Sequence, residues 1–218
     1  MENIFTEALP FWNDLKEEQK TLILTSSFQN KITKGTINHH NSNQCSGVEI
    51  VREGRVRVFI TSANGGEITL YRLLSGDACI LSAACMMKNL SMEISMEFEE
   101  ETELIIIPKD VYKKILDENP ACTQYTLNLL SEKFSDVMWL FNQYVFSNMA
   151  KRLSDALIDH ISLEGSTSLL ITHEILAKDL GTAREVVTRL LKQFQTDGIL
   201  KLHRGKIEIL DLKKLRKV

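Results

Sequence analysis

The chain has 218 residues, of which 44% are hydrophobic and 25% charged. This composition allows a full apolar core without disulfides or metals and does not suggest a disordered protein. The net charge of −3 hides a change of sign: residues 150–218 contain 13 Lys and Arg but 9 Asp and Glu, a net charge of +4, whereas residues 1–149 have a net charge of −7. The C-terminal third is therefore the part suited to binding a polyanion.

Expectations about the location and redox state of the protein rest on sequence signals that the chain lacks. The N-terminus lacks the basic start and apolar run of a secretion signal, and no stretch approaches 18 apolar residues. We therefore expect a cytoplasmic protein with no membrane partner. Four scattered cysteines, Cys45, Cys79, Cys85 and Cys122, are too few for a disulfide framework, so reduced thiols are expected.

The first half of the chain changes from a helical to a β pattern. Apolar residues from Phe11 to Phe28 recur at helical spacing and predict an opening helix or helix pair over residues 10–30. Many short runs rich in Ile and Val follow, and the Asn64-Gly65 pair between two of them is typical of a hairpin. They predict a barrel or jelly roll. The runs are 48–51, 55–60, 68–74, 94–98 and 103–107.

A helical pattern returns after Pro108, first over residues 111–117 and then in a long helix after Pro120. The apolar side chains of the long helix follow steps of three and four residues, as in a helix that pairs with a partner helix. Packing on its own β-domain would give the same pattern, but we favour pairing and hence a homodimer. The expected seam comprises Leu127, Leu130, Phe134, Val137, Phe141 and Tyr144.

Asn148 is expected to cap a further helix over residues 149–161, and we place the domain hinge there. The predicted domains are a β-roll sensor with flanking helices at 1–119, a dimerisation helix at 120–147 and a DNA-binding domain at 148–218.

Residues 172–195 have the pattern of a helix-turn-helix. Thr172 and Thr182 are expected to cap its two helices, and Thr182 would form a capping box with Glu185. Ala177 allows the helices to approach closely, and Gly181 supplies the tight turn. Two β-type runs follow, at 199–202 and 206–210, and predict a wing with a basic tip.

The second helix is expected to enter the major groove of DNA. Arg can donate two hydrogen bonds to guanine and Glu can accept one from cytosine, which predicts a half-site that contains G·C pairs. The alternative is that these charges form only the solvated face of a surface helix. The residues expected to contact bases are Arg184, Glu185, Thr188 and Arg189. Those expected to contact phosphates are Thr172, Thr182, Lys192, His203, Arg204 and Lys206.

A β-roll, a long helix and a winged helix-turn-helix, in this order, resemble the Crp/Fnr family of bacterial transcription regulators over nearly the whole chain. Arg184-Glu185-x-x-x-Arg189 resembles the base-contacting triplet of the cyclic-AMP receptor branch, while Thr188 could mimic the Ser of the Glu-x-x-Ser-Arg motif in the Fnr branch.

The resemblance implies an α+β fold with an N-terminal cyclic-nucleotide-binding-like β-roll (jelly roll), a long dimerisation helix and a C-terminal winged helix-turn-helix. It implies a homodimer on a palindromic double-stranded DNA operator with TGTGA-like or TTGA-like arms. RNA polymerase is a further candidate partner.

The expected effector pocket departs from the family. Gly76-Asp77 stands where cyclic-nucleotide binders usually carry Gly-Glu, and Met92 and Glu93 stand where those binders hold the phosphate with an Arg-Ser pair. A carboxylate at Glu93 would repel a cyclic phosphate, so we do not expect cyclic AMP to bind. The candidate pocket residues are Gly76, Asp77, Cys79, Leu81, Ser82, Met92 and Glu93.

Three interpretations of the cysteines stay open: buried structural thiols, a redox pair of Cys79 and Cys85, or an iron–sulfur or metal site that also needs Cys45 and Cys122. We favour buried thiols and expect no cofactor or metal. The Fnr-type N-terminal cysteine cluster is absent.

Three functions remain in view. The first is a regulator controlled by an effector or redox signal, and the second is an effector-independent DNA binder whose β-roll is a scaffold. The third is a cupin-like enzyme, which we do not favour. It needs several metal ligands, whereas the adjacent His39 and His40 would face opposite sides of a strand.

Overall fold

The computed structural model describes residues 2–40, 47–79 and 94–218. Helices and antiparallel sheets occur in separate regions, which confirms the α+β class. The described chain divides into two compact units. The first comprises Met1–Ile60 and Leu70–Val137, and the second comprises Thr61–Thr69 and Met138–Val218.

Two four-stranded sheets build the β-roll of the first unit, in the orders β1-β8-β3-β6 and β2-β7-β4-β5. The five predicted runs correspond to β3, β4, β5, β7 and β8, whereas β1, β2 and β6 were not predicted. Phe28, expected in a helix, begins β1 instead. The strands are β1 (Phe28–Ile32), β2 (Ile37–His40), β3 (Gly47–Glu53), β4 (Val56–Thr61), β5 (Glu67–Leu73), β6 (Ala78–Cys79), β7 (Ile94–Phe98) and β8 (Thr102–Pro108).

Helices cover one face of this β-roll, and consecutive residues of β3 and β8 are buried, so both faces of these strands are covered. Phe5 and Trp12 stack with their ring centroids 5.3 Å apart, in the same core cluster as Ile105 of β8. The helices are α1 (Glu2–Ala8), a short 3-10 helix (Trp12–Asp14), α2 (Glu17–Ser26), α3 (Lys109–Glu118) and α4 (Pro120–Phe146).

The second unit contains the winged helix-turn-helix. Its three-stranded sheet has the order β10-β11-β9, and both predicted wing strands are present. A core of side chains such as Leu157, Val187 and Ile207 lies between the helices and this sheet. The elements are α5 (Met149–Glu164), β9 (Ser168–Leu169), α6 (His173–Leu180), α7 (Arg184–Thr196), β10 (Leu200–His203), β11 (Lys206–Ile209) and α8 (Leu212–Leu215).

Two of the predicted helix caps are confirmed. The Asn148 side chain accepts a hydrogen bond from the Lys151 amide at the start of α5, at 2.9 Å. The Thr172 hydroxyl accepts one from the Ile175 amide at the start of α6, at 3.2 Å.

The predicted cap at Thr182 is wrong. The residue before α7 is Ala183, which makes no side-chain capping bond, so the capping box with Glu185 is also absent. The Thr182 amide instead donates to the Ala177 carbonyl at 3.0 Å, after Gly181 in the left-handed conformation. Thr182 therefore completes the end of α6 rather than the start of α7.

Among the helices that the structure describes, none is both long and apolar enough to cross a membrane.

Candidate DNA-binding surface

The helix α7 presents a polar face opposite a buried one. Val187, Leu191 and Phe194 are fully or almost fully buried and fix the helix on the core of the second unit. At 3.6 residues per turn, the predicted base-contacting residues and Lys192 fall within an arc of about 140° on the other side. Arg184, Glu185, Arg189 and Lys192 are exposed, and Thr188 is half-buried. The structure therefore brings all the α7 site residues onto one side of the helix.

Thr188 is held by a partner on the preceding helix. The Nδ1 atom of His173, the first residue of α6, lies 2.9 Å from the Thr188 hydroxyl oxygen. Partial burial lowers the pKa of His173, and the nearby positive charges of Arg184 and Lys192 lower it further. Its surroundings thus disfavour the charged form of the imidazole.

The turn between α6 and α7 is tightly packed. Gly181 adopts φ 58°, and a Cβ at this position would lie 2.5 Å from Cγ1 of Ile68 and 3.0 Å from the Tyr144 hydroxyl. The Tyr144 hydroxyl and the Arg152 guanidinium both donate to the Leu180 carbonyl, at 2.7 Å and 2.6 Å. These donors satisfy a carbonyl at the helix end and leave no room for a side chain at 181.

The wing carries the other predicted phosphate contacts. His203 and Lys206 are paired across the hairpin of β10 and β11, and Arg204 lies exposed at its tip beside Gly205. The Gln195 side chain of α7 accepts a hydrogen bond from the Leu202 amide at 2.8 Å, which ties the wing to α7. Basic groups therefore occupy the wing tip and the exposed face of α7.

A stripe of exposed apolar side chains runs along α4. Its five members lie within an arc of about 60°, at steps of three, four and seven residues. Their exposed fractions range from 46% to 67%, high for large apolar groups. We call these residues the α4 stripe: Leu127, Phe134, Met138, Phe141 and Val145.

The α4 stripe shares only part of the predicted seam. Leu127, Phe134 and Phe141 belong to both, while Met138 and Val145 were not foreseen. Leu130, Val137 and Tyr144 are half-buried within the chain: Leu130 packs on the helical core of the first unit, and the Tyr144 ring lies under Arg152.

The expected effector pocket is described only in part. Asp77 accepts a hydrogen bond from the Leu74 amide at 2.8 Å and so closes the turn at Gly76, where φ is 96°. Leu81, Ser82, Met92 and Glu93 lie outside the described residues.

The described cysteines have the character of core residues. Cys79 and Cys122 are both buried, and neither is in a disulfide. Burial raises the pKa of the Cys122 thiol to about 11, so it carries little thiolate near neutral pH. Cys45 and Cys85 lie outside the described residues. No cluster of potential metal ligands is present in the described part of the chain, and the imidazole of His39 is bonded to Ser95.

A crystal structure from Eubacterium rectale, assigned to the Crp/Fnr family of transcriptional regulators, is 44% identical to this chain. The similarity covers 96% of this chain and 97% of that one, with a TM-score of 0.92. This chain belongs to the Crp/Fnr family. A model of Crp-like helix-turn-helix domains also matches residues 151–218 of this Crp/Fnr protein, which include α6, α7 and the wing.

More distant relatives agree on the fold. The cyclic AMP receptor protein of Thermus thermophilus is 24% identical over 201 residues, 92% of each chain. The c-di-GMP-responsive regulator CLP of Xanthomonas campestris has a TM-score of 0.75 at 18% identity, over 89% of this chain and 99% of that one, a likeness of fold alone. The protein is thus a Crp/Fnr-type transcription regulator, and its helix-turn-helix implies DNA binding.

Sequence reasoning missed His173 as part of this surface, because its partner Thr188 is 15 residues away and a single histidine in a helix has no diagnostic pattern. It also missed Met138 and Val145. For these two residues a signal existed, since they continue the three- and four-residue steps of Leu127, Phe134 and Phe141.

Proposed function

We propose that this Crp/Fnr regulator is a homodimer that binds a palindromic operator and contacts its bases through Arg184, Glu185, Thr188 and Arg189. The observation that carries the proposal is the exposed polar face of α7, set opposite the buried Val187, Leu191 and Phe194. An exposed helix of this kind, with two arginines and a glutamate, offers the hydrogen-bonding groups that distinguish base pairs in the major groove.

Phosphate contacts would supply most of the affinity. Thr172 at the start of α6, Thr182 in the turn and Lys192 on α7 flank the base-contacting residues, and His203, Arg204 and Lys206 extend the surface to the wing. Such contacts carry no sequence information, but they position the helix on the duplex and make binding sensitive to salt.

The α4 stripe supports the homodimer. Its steps of three and four residues match the spacing of a left-handed coiled coil, in which two such stripes cover each other. Two copies related by a two-fold axis would present two α7 helices to half-sites one helical turn apart, about 34 Å. The domains of this proposal are those predicted from the sequence, with the dimerisation helix at 120–147 between the sensor at 1–119 and the DNA-binding domain at 148–218.

We infer that the effector is not cyclic AMP, because Met92 and Glu93 replace the Arg-Ser pair expected to hold its phosphate. One relative is named for cyclic AMP and another for c-di-GMP, so effectors differ among proteins of this fold. The raised pKa of Cys122 argues against a redox signal at that thiol. RNA polymerase is the partner expected at a promoter.

Selection of binding sites from random duplex DNA by the purified 218-residue chain tests the proposal. We expect enrichment of a palindrome whose G·C-containing arms are about 10 base pairs apart, centre to centre. Enrichment of a single, unrepeated half-site would contradict the homodimer, and no enrichment above random sequence would contradict sequence-specific binding.

A further inference from the structure

The contact between His173 and Thr188 links a titratable ring to a base-contacting residue. Thr188 is half-buried, and its hydroxyl oxygen lies 2.9 Å from Nδ1 of His173. Arg184 and Lys192 stand one helical turn before and after Thr188 on α7, so the pair lies within the polar face proposed to meet DNA. A single hydroxyl hydrogen must then serve either the ring or an outside partner.

The protonation state of Nδ1 decides which way that hydrogen points. In the neutral ring with its proton on Nε2, the tautomer that the switch requires, Nδ1 accepts the Thr188 hydroxyl hydrogen, and the oxygen presents only lone pairs to the outside. When the ring is doubly protonated, Nδ1 donates to the oxygen, and the hydroxyl hydrogen is released toward an outside acceptor.

We propose that His173 is a specificity-determining residue that switches Thr188 between acceptor and donor of a hydrogen bond, and so changes its base preference. As an acceptor Thr188 suits the amino groups of cytosine or adenine, and as a donor it suits guanine O6 or N7, or thymine O4. The inference rests on the proposed function, because it requires α7 to lie in the major groove.

The charges around His173 determine how its pKa should change when DNA binds. The charged groups that act on the ring are Arg184 and Lys192 of α7, and both lower the pKa of His173. An ionisable pair joins α5 to α6, His160 with Asp179, and Asp179 follows His173 by six residues, a rise of about 9 Å along the axis of α6. DNA phosphates would offset the two cations and raise the pKa, so binding takes up a proton and affinity increases as the pH falls.

Site selection at about pH 5.5 and about pH 8 tests the switch. Four versions of the chain are compared: the parent, His173→Asn, Thr188→Val and His203→Asn. Asn keeps a hydrogen-bonding group near the Nδ1 position but does not titrate, and Val keeps the shape of Thr without its hydroxyl. His203→Asn is the matched control: it removes a titratable ring proposed to contact phosphate, so it should weaken binding to all sequences alike and keep the pH-dependent preference.

We expect the parent and His203→Asn to change base preference at one base pair of each half-site between the two pH values, by about fivefold to tenfold, as for one hydrogen bond gained or lost. His173→Asn and Thr188→Val should keep one preference at both pH values. Thermal unfolding of each variant verifies that it is folded.

Two results would overturn the inference: a parent preference that is the same at both pH values, or a pH-dependent preference that survives in His173→Asn. A uniform change of affinity over all sequences would show that the ring acts on phosphates alone, and would equally contradict it. Failure of the proposed function has a different signature, because then no sequence is enriched at either pH.

Discussion

At the scale of single residues, the surface of α7 combines side chains with separate tasks. Arg184, Glu185 and Arg189 are exposed and can reach outward, whereas Thr188 is restrained by His173. Gly181 has a different role, since its left-handed φ and the nearby Ile68 exclude a side chain at the turn. Specificity is thus expected to depend on the exposed residues together with Thr188, and stability on the packed turn.

Replacing Arg189 with Ala should relax specificity at one base pair of each half-site. The loss of a bidentate contact costs about 1–3 kcal/mol against the preferred base. Binding of the parent and variant to a set of operators, each changed at one position, measures the effect. Arg204→Ala at the wing tip is the control, since loss of a phosphate contact should weaken all operators alike. An Arg189→Ala protein with the parent's ranking of operators would remove Arg189 from the base-contacting set.

At the scale of elements, α4 differs from the other long helix, α5. The helix α5 is amphipathic, with Leu153 and Leu157 fully buried in its own unit, whereas the side chains of the α4 stripe stay 46% to 67% exposed in the described chain. A set of large apolar residues left exposed in this way marks an interaction surface.

Replacing Phe134 with Glu should separate the proposed dimer. Burial of a Phe side chain contributes about 1.5–3 kcal/mol, and the two-fold axis removes two of them, so the dissociation constant should rise on the order of 100-fold or more. Sedimentation velocity across a dilution series gives the measurement. Ser135→Glu places the same charge on the neighbouring exposed position and should leave the dimer intact. If both variants sediment like the parent, the α4 stripe is not the dimer interface.

The sequence predicted elements well where side-chain chemistry marks their ends. Asn148 and Thr172 capped the helices they were expected to cap, and the wing strands are where two Ile- and Leu-rich runs flank Gly205. The prediction missed β1 because Phe28–Ile32 is mostly exposed and shows no apolar alternation. It misplaced the start of α7 because Thr182 has the residue type of a helix cap. In the structure, the Thr182 amide instead donates to the Ala177 carbonyl and closes the end of α6.

The shared placement of the candidate base-contacting residues could be predicted from the sequence where they lie on one helix. Arg184, Glu185 and Arg189 follow from the periodicity of α7, and the structure leaves them exposed together. The bond from His173 to Thr188 joins two helices, and the donors to Leu180 come from α4 and α5. Such contacts depend on how the helices pack against one another, and a local sequence pattern does not specify that packing.

At the scale of the whole molecule, an effector would act by changing operator affinity. Cyclic AMP should have no such effect here, since Glu93 stands in place of a group that would neutralise its phosphate. Operator titrations with and without millimolar cyclic AMP should therefore coincide, and cyclic GMP serves as a second nucleotide control. A cyclic-AMP-dependent gain in affinity, of tenfold or more, would show that another basic group holds the phosphate.

Pairing through the exposed α4 stripe would also make the regulator sensitive to its own abundance. Below the dissociation constant of the proposed dimer, the concentration of paired chains varies with the square of the concentration of total chain. Halving the supply then lowers the dimer concentration about fourfold, and operator occupancy falls with it while the operator is far from saturated. Synthesis and degradation of the protein would then act as a control input of their own, steeper than for a monomeric DNA binder.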